Sequence, residues 1–120
     1  MSKVLKGVEI IGVNFSDCKI SSFCIIDSLL SFQSDAIYLD GQGFSEQPCK
    51  VFIRNWENSN VLRFDGLNES EVKIQSSGTL ERICECEFNS DHAYLAGYEP
   101  VTGHWKSYRF SKPLVEIKIG

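Results

Sequence analysis

Prolines and long apolar runs are scarce in this sequence, and each scarcity excludes a class of protein. Three prolines and nine glycines among 120 residues exclude a collagen-like chain or a linker. No stretch approaches the ~18 uncharged apolar residues of a membrane-spanning helix, so we expect no membrane partner. Sixteen Asp and Glu residues outnumber twelve Lys and Arg residues, and the net charge is −4. Because phosphate binding needs a basic surface, this balance argues against nucleic acid as the main partner.

Apolar and aromatic residues are plentiful and make up 42% and 12% of the chain. This composition excludes intrinsic disorder, and the length fits a single domain, residues 1–120. The first residues do not resemble a signal peptide, because Lys6 and Glu9 interrupt their apolar positions. The five cysteines are an odd number at irregular spacings, unlike those of a secreted disulfide scaffold. We therefore expect a cytoplasmic protein with free thiols.

Most segments alternate apolar and polar residues with a period of two, which is typical of half-buried strands. Turn residues recur roughly every 8–12 positions, as in sandwiches and barrels. The sequence therefore predicts an all-β fold, a mainly antiparallel sheet that is sandwich or barrel-like. The expected strands span residues 8–13, 36–40, 50–55, 61–64, 72–75, 93–98, 105–110 and 114–119. The apolar registers predict a core of Val51, Ile53, Leu62, Phe64, Val72, Ile74, Cys84, Cys86, Leu95, Val115 and Ile117.

Residues 20–32 fit either two strands or one short helix. Their apolar positions, from Ile20 to Leu30, lie near helical spacing. Cys24 and Ser28 are mediocre helix formers, however, and residues 35–40 look like a hairpin partner. Strands are therefore favoured here.

The segment 80–88 shows clear alternation and contains several acids. Read as one strand, it has a core side and a solvent side. The core side carries Leu80, Arg82, Cys84, Cys86 and Phe88, and the solvent side carries Glu81, Ile83, Glu85 and Glu87. Arg82 is the misfit on the core side.

Motifs for catalysis and metal binding are weak. His92 follows Asp91, but the sequence offers no nucleophile elbow, paired-acid signature or phosphate-binding glycine loop to accompany it or His104. Cys84 and Cys86 would point to the same side of a strand and could join a histidine around zinc. Buried cysteines more commonly pack as small apolar side chains. We therefore expect no enzyme and no catalytic, cofactor-binding or metal-binding residues.

Charge is distributed unevenly along the chain. Residues 65–99 hold eight acids against only Lys73 and Arg82, whereas the remainder carries more bases than acids. Such a run is either an ordinary solvated face or a surface that steers a basic partner. The aromatic residues are expected mainly in the core, with Trp56, beside charged neighbours, the exposed one. The hypothetical partner-binding residues are Glu69, Glu71, Glu81, Glu85, Glu87, Asp91 and Trp56.

The second half of the chain resembles a known group of proteins in its pattern. Residues 61–67 (VLRFDGL) precede 71–74 (EVKI) and the acidic strand, and 97–105 (GYEPVTGHW) precede 108–110 (YRF) and a final apolar strand. This order resembles small β-rich immunity proteins encoded beside bacterial polymorphic toxins, including those of contact-dependent growth inhibition systems. The resemblance implies a cytoplasmic inhibitor that binds one cognate toxin C-terminal domain, often a nuclease, and blocks its active site. It carries over no catalytic residues.

The leading hypothesis is therefore a monomeric or weakly dimeric toxin inhibitor whose acidic surface occupies the basic cleft of its target. One alternative is a small β-barrel or sandwich that binds an apolar or sugar ligand among its aromatic residues. Another is a structural β module of a phage or secretion assembly. A toxin domain encoded immediately upstream would favour the inhibitor, and a small molecule retained through purification would favour the ligand-binding module.

Overall fold

The computed structural model describes residues 3–120, apart from the side chain of Ser76. These residues form a sandwich of antiparallel strands, which confirms the predicted all-β class. The strands are β1 (Lys3–Lys6), β2 (Cys18–Ile26), β3 (Leu29–Ser34), β4 (Ile37–Leu39), β5 (Gly43–Ser45), β6 (Cys49–Arg54), β7 (Asn58–Phe64), β8 (Glu69–Val72), β9 (Arg82–Ile83), β10 (Glu85–Phe88), β11 (His92–Tyr98), β12 (Trp105–Ser111) and β13 (Leu114–Ile119).

Two sheets enclose the core. The six-stranded sheet has the order β1-β13-β6-β3-β2-β9, the five-stranded sheet has the order β10-β11-β12-β7-β8, and β4 and β5 form a separate ribbon. Phe15, in the loop before β2, is fully buried between the sheets. Its ring centroid lies 5.6 Å from that of Phe32 on β3 and 6.2 Å from that of Phe88 on β10. Phe23 on β2 and Tyr108 on β12, with centroids 5.5 Å apart, make a second contact between the sheets.

Residues 20–32 form a β-hairpin, as favoured from the sequence, and not a short helix. β2 and β3 pair antiparallel and are joined by a two-residue turn in which Asp27 has a φ of +53°. Asp enters this left-handed region more readily than most residues. A β-bulge between Ser21 and Cys24 interrupts the strict alternation of side chains. This irregularity sets buried Ile20 and Phe23 three residues apart, a spacing that imitates a helix.

The prediction of one continuous strand over residues 80–88 was wrong. The chain leaves the six-stranded sheet after β9 and enters the five-stranded sheet at β10, with Cys84 between the two strands. The alternation changes phase at this crossing. Ile83, expected to face solvent, is fully buried, whereas Cys84 is half-buried and Cys86 continues the core on β10.

Gly97 on β11 permits this crossing. A Cβ atom at Gly97 would overlap the backbone carbonyl oxygen of Arg82, so a larger residue there would push β9 away. The side chain of Arg82, expected on the core side, is exposed, and its guanidinium donates to the carbonyl oxygen of Asp17 at 2.6 Å. The close approach of two backbones therefore decides where the segment changes sheets.

β7 presents the register opposite to the one predicted. Val61 is buried opposite Tyr108 of β12, whereas Leu62 is half-buried and Phe64 is 44% exposed. Both registers of this segment carry apolar residues, so its own alternation does not decide the orientation. Pairing with the central strand β12 does, because Tyr108 belongs to the core.

Other details of the strand and core predictions also changed. Gly7, with a φ of +61°, follows β1, and the expected strand at 8–13 is replaced by a 3₁₀ turn at Gly7–Ile10. β8 ends at Val72, where a strand was expected to begin, and a 3₁₀ turn follows at Ile74–Ser76. Of the predicted core, Val51, Ile53, Cys86, Leu95, Val115 and Ile117 are buried, and Leu62, Val72, Ile74 and Cys84 are half-buried.

All five cysteines are unpaired, and Cys18, Cys49 and Cys86 are buried. Burial raises the pKa of Cys49 to about 11 and that of Cys86 to about 12, so both thiols stay protonated at neutral pH. In residues 3–120, no helix has the length and apolar character needed to cross a membrane.

Candidate functional site

The outer face of the five-stranded sheet combines carboxylates with exposed aromatic rings. Strand alternation turns every second side chain of this sheet away from the core. We call this surface the acidic–aromatic face. It comprises Leu62, Phe64, Glu69, Glu71, Glu85, Glu87, Tyr94, Tyr98, Trp105 and Arg109.

An aromatic row occupies one end of the acidic–aromatic face. Tyr98, Trp105 and Phe64 lie directly opposite one another on three adjacent strands. The rings of Tyr98 and Trp105 meet edge to face with centroids 5.1 Å apart, and Tyr98 is 57% exposed. Leu67 and Val101 lie almost fully exposed in the two turns at the same end of the sheet. Clustered exposed apolar side chains of this kind commonly mark a protein-binding surface.

Carboxylates flank this surface on both edge strands. Glu69 and Glu71 project from β8, and Glu85 and Glu87 project from β10. The register places Glu69 directly beside Phe64 at the end of the aromatic row. The acidic–aromatic face therefore has acidic borders on both edge strands and an aromatic row at one end of the strands between them.

The two carboxylates on β10 are held by neighbouring side chains of β11. The hydroxyl of Tyr94 donates to Glu85 at 2.8 Å, and a ring nitrogen of His92 lies 2.7 Å from Glu87. Burial, together with the bond to Glu85, raises the pKa of Tyr94 to about 12. The guanidinium of Arg109 lies 4.3 Å from the centroid of the Tyr94 ring. These contacts order the acidic border before any partner arrives.

A buried lysine supports the aromatic end from inside the sandwich. Lys106 is fully buried, and its ammonium donates to the carbonyl oxygen of Ser77 and lies 3.9 Å from Glu99. Burial lowers the pKa of Lys106, an effect that Glu99 opposes. The Nε atom of Arg63 lies 3.8 Å from the other oxygen of Glu99. Because Glu99 begins the turn between β11 and β12, these ion pairs fix the turn that carries Val101.

Asp65 orders the turn between β7 and β8. Its carboxylate accepts hydrogen bonds from the backbone N–H groups of Leu67 and Asn68, at 2.9 and 2.8 Å. These two bonds hold the pKa of Asp65 below its usual range. A carboxylate thus orders each turn at the aromatic end: Asp65 in the turn between β7 and β8, and Glu99 in the turn between β11 and β12.

The structure brings four of the seven predicted partner-binding residues to one surface. Glu69, Glu71, Glu85 and Glu87 share the acidic–aromatic face, although they lie on opposite edges. Glu81 precedes β9 at the edge of the six-stranded sheet, where its carbonyl oxygen accepts the N–H of Ile20.

Asp91 and Trp56 also lie outside the acidic–aromatic face. Asp91 is in the turn between β10 and β11. Trp56, expected to be exposed, is half-buried, with its ring centroid 4.5 Å from that of Phe110. The aromatic row itself was missed, because Phe64 was assigned to the core on its strand alternation.

In residues 3–120, no group of three or more His, Cys, Asp or Glu side chains is arranged to hold a metal ion. A surface cavity of about 500 Å³ opens beside the 3₁₀ turn that follows β1 and the start of β13. Its lining includes Lys6, Arg54 and Glu116 and no aromatic ring, so it does not resemble an aromatic sugar-binding platform.

Comparison with protein-family models, curated proteins and solved structures finds no match for this chain.

Proposed function

We propose that this protein is a non-catalytic immunity protein that binds a bacterial toxin domain through the acidic–aromatic face and thereby blocks the toxin's active site. The observation that carries the proposal is a row of three aromatic side chains, exposed at Phe64 and Tyr98, on the strands that lie between two carboxylate-bearing edge strands. The unpaired thiols are compatible with action in the cytoplasm, where thiols stay reduced.

The two parts of the acidic–aromatic face contribute differently to binding. Exposed Phe64 and Tyr98, with half-buried Trp105 between them, offer an apolar contact, and aromatic residues at such contacts supply most of the binding free energy. The acidic borders steer a basic partner and raise its association rate. A nuclease presents such a basic surface, because its cleft binds the phosphates of its substrate. The carboxylates would then occupy positions that the substrate's phosphates otherwise fill.

A growth-rescue assay tests the proposal. The proposal requires that a toxin C-terminal domain is encoded immediately upstream of this gene. Expressed alone in a host, that domain should stop growth, and co-expression of this protein should restore growth. Glu85→Lys together with Glu87→Lys should reduce rescue, because two carboxylates of one border become cations. With purified proteins, the same variant should associate with the toxin at least tenfold more slowly at low salt, and the deficit should shrink in high salt.

Glu81→Lys is the matched control. It makes the same kind of substitution at one position in the same segment of sequence, beside β9 of the other sheet, so it should rescue growth like the unaltered protein. Thermal unfolding of each variant separates loss of binding from loss of folding. If the Glu85→Lys/Glu87→Lys variant folds and binds the toxin with unchanged affinity at low salt, the acidic–aromatic face is not the interface. Trp56 and the turn at residues 99–103 would then be tested next.

A further inference from the structure

The outer face of the six-stranded sheet has the opposite charge. We call it the basic–aliphatic face, and Glu116 is the acid within it. Its cations are Lys6, Lys19, Lys50, Arg54, Arg82 and Lys118, and its exposed aliphatic residues are Val4, Ile26, Leu29 and Leu114. The acidic net charge of the whole chain therefore conceals a basic surface.

Repulsion between neighbouring cations on the basic–aliphatic face lowers the stability of the fold slightly. Lys50 and Lys118 lie directly opposite each other on β6 and β13, and like charges in such a pair repel. The ammonium of Lys118 lies 3.8 Å from Glu116 and 5.3 Å from the centroid of the Phe52 ring. Both cations remain exposed. An anionic surface docked on this face would relieve the repulsion.

Aliphatic residues gather at one end of this face. Leu114, Arg54, Leu29 and Ile26 lie opposite one another across β13, β6, β3 and β2. Leu114 and Ile26 are more than half exposed. The best-fitting partner is thus a surface that is both acidic and apolar.

We propose that the basic–aliphatic face of one copy binds the acidic–aromatic face of a second copy. The two surfaces match in both respects: carboxylates meet lysines and arginines, and an aromatic row meets an aliphatic one. A nucleic acid fits less well, because stacking on bases needs exposed aromatic rings and Phe52 is half-buried beneath Lys118.

This contact joins different faces, so it is heterologous, and each added copy exposes a new free face of each kind. Strand spacing gives a five-stranded face about 24 Å wide and about 20 Å long, or about 500 Å² on each partner. This is below the ~800 Å² per partner of stable complexes. Self-association is therefore weak and grows with protein concentration. It also covers the surface that the proposed function assigns to the toxin, so free toxin and free copies compete for one face.

A pair of complementary variants tests the proposal. Lys50→Glu with Arg54→Glu alters only the basic–aliphatic face, and Glu85→Lys with Glu87→Lys alters only the acidic–aromatic face. For the unaltered protein, sedimentation equilibrium at low salt should show an average mass that rises with concentration and returns to that of one chain in 0.5 M NaCl. Each variant alone should remain a single chain.

An equimolar mixture of the two variants is the decisive sample. Each variant retains one intact face, and these two faces are complementary, so the mixture should reach at least twice the single-chain mass under conditions in which each variant alone stays a single chain. If the mixture remains monomeric, or if the unaltered protein at 1 mM and low salt shows the mass of one chain, the proposal fails. Binding of a DNA duplex, or of vesicles that contain an anionic lipid, to the basic–aliphatic face would then identify the partner that takes the place of a second copy.

The growth-rescue assay separates this proposal from the proposed function. Lys50→Glu/Arg54→Glu keeps the acidic–aromatic face and should rescue growth fully. Rescue without the mixed dimer overturns only the self-association. A mixed dimer together with full rescue by Glu85→Lys/Glu87→Lys overturns only the assignment of the toxin to that face.

Discussion

The two outer faces of the sandwich are built on the same strand geometry but carry opposite charges and different apolar residues. The five-stranded sheet presents carboxylates and aromatic rings, and the six-stranded sheet presents lysines, arginines and aliphatic side chains. A net charge of −4 describes neither face. Net charge and residue totals therefore say little about partners when a sheet sorts its residues onto two sides.

The faces also differ in how firmly their charged groups are held. Glu85 and Glu87 contact Tyr94 and His92 at hydrogen-bonding distance. On the basic–aliphatic face, exposed Lys118 and half-buried Glu116 form a longer ion pair, at 3.8 Å, which contributes little to stability. Ordering long lysine side chains costs conformational entropy on binding. The acidic–aromatic face is therefore the better prepared of the two to bind a rigid partner.

The largest expected effect on the free energy of unfolding comes from weakening the packing between the two sheets. Phe15→Ala removes a fully buried ring that touches both Phe32 and Phe88, and it should lower the free energy of unfolding by about 3–5 kcal/mol. Urea unfolding monitored by tryptophan fluorescence measures this loss. Phe44→Ala, at an exposed position on β5, is the control and should change stability by less than about 0.5 kcal/mol. Equal losses for both variants would contradict the role of Phe15 in joining the sheets.

A smaller effect is expected where the chain passes between the sheets. Gly97→Ala places a methyl group against the carbonyl oxygen of Arg82, and the resulting strain should cost about 1–3 kcal/mol. The N–H of Cys84, which donates to the carbonyl oxygen of Ala96 at 2.8 Å, should exchange faster with deuterium. Gly41→Ala meets open space and strains only a backbone φ of +77°, so it should leave that exchange unchanged. If the N–H of Cys84 exchanges at an unchanged rate in Gly97→Ala, the contact between Gly97 and Arg82 does not hold the chain where it passes between the sheets.

The smallest effects compare the charges of the two faces directly. Lys50→Gln should raise the free energy of unfolding by up to about 0.5 kcal/mol, because it removes the repulsion from Lys118. Glu85→Gln should lower it by a similar amount, because the hydroxyl of Tyr94 loses a charged acceptor. Removal of that carboxylate should also lower the pKa of Tyr94 in a spectroscopic titration. If the free energy of unfolding changes in the same direction in both variants, the charges of the two faces do not have opposite effects on stability.

Strand positions were largely predictable, whereas several orientations and sheet assignments were not. Segments such as 50–55 and 114–119 carry their aliphatic residues mostly on one register, and β6 and β13 lie there with Val51, Ile53, Val115, Ile117 and Ile119 buried. The segment 61–64 has apolar residues on both registers, so its orientation depended on pairing with β12. The segment 80–88 alternates except at Arg82 and Ile83, and its two halves pair with strands of different sheets.

Part of the candidate site was visible in the sequence. Charge counting found Glu69, Glu71, Glu85 and Glu87, because a local excess of acids is a property of the chain itself. It also included Glu81 and Asp91, since a count along the chain does not register which sheet a residue joins. The aromatic row was not visible, because Tyr98, Trp105 and Phe64 come from three strands and meet only through their pairing.

The sequence by itself determined the β class, the positions of most strands and the local excess of acids, because these follow from alternation and composition over a few neighbouring residues. Only the tertiary structure decided which register of β7 is buried, where the segment 80–88 changes sheets, and that acids and bases collect on opposite outer faces. Each of these depends on strand pairs between residues distant in the chain, and on a close backbone contact at Gly97. Local patterns do not encode such contacts.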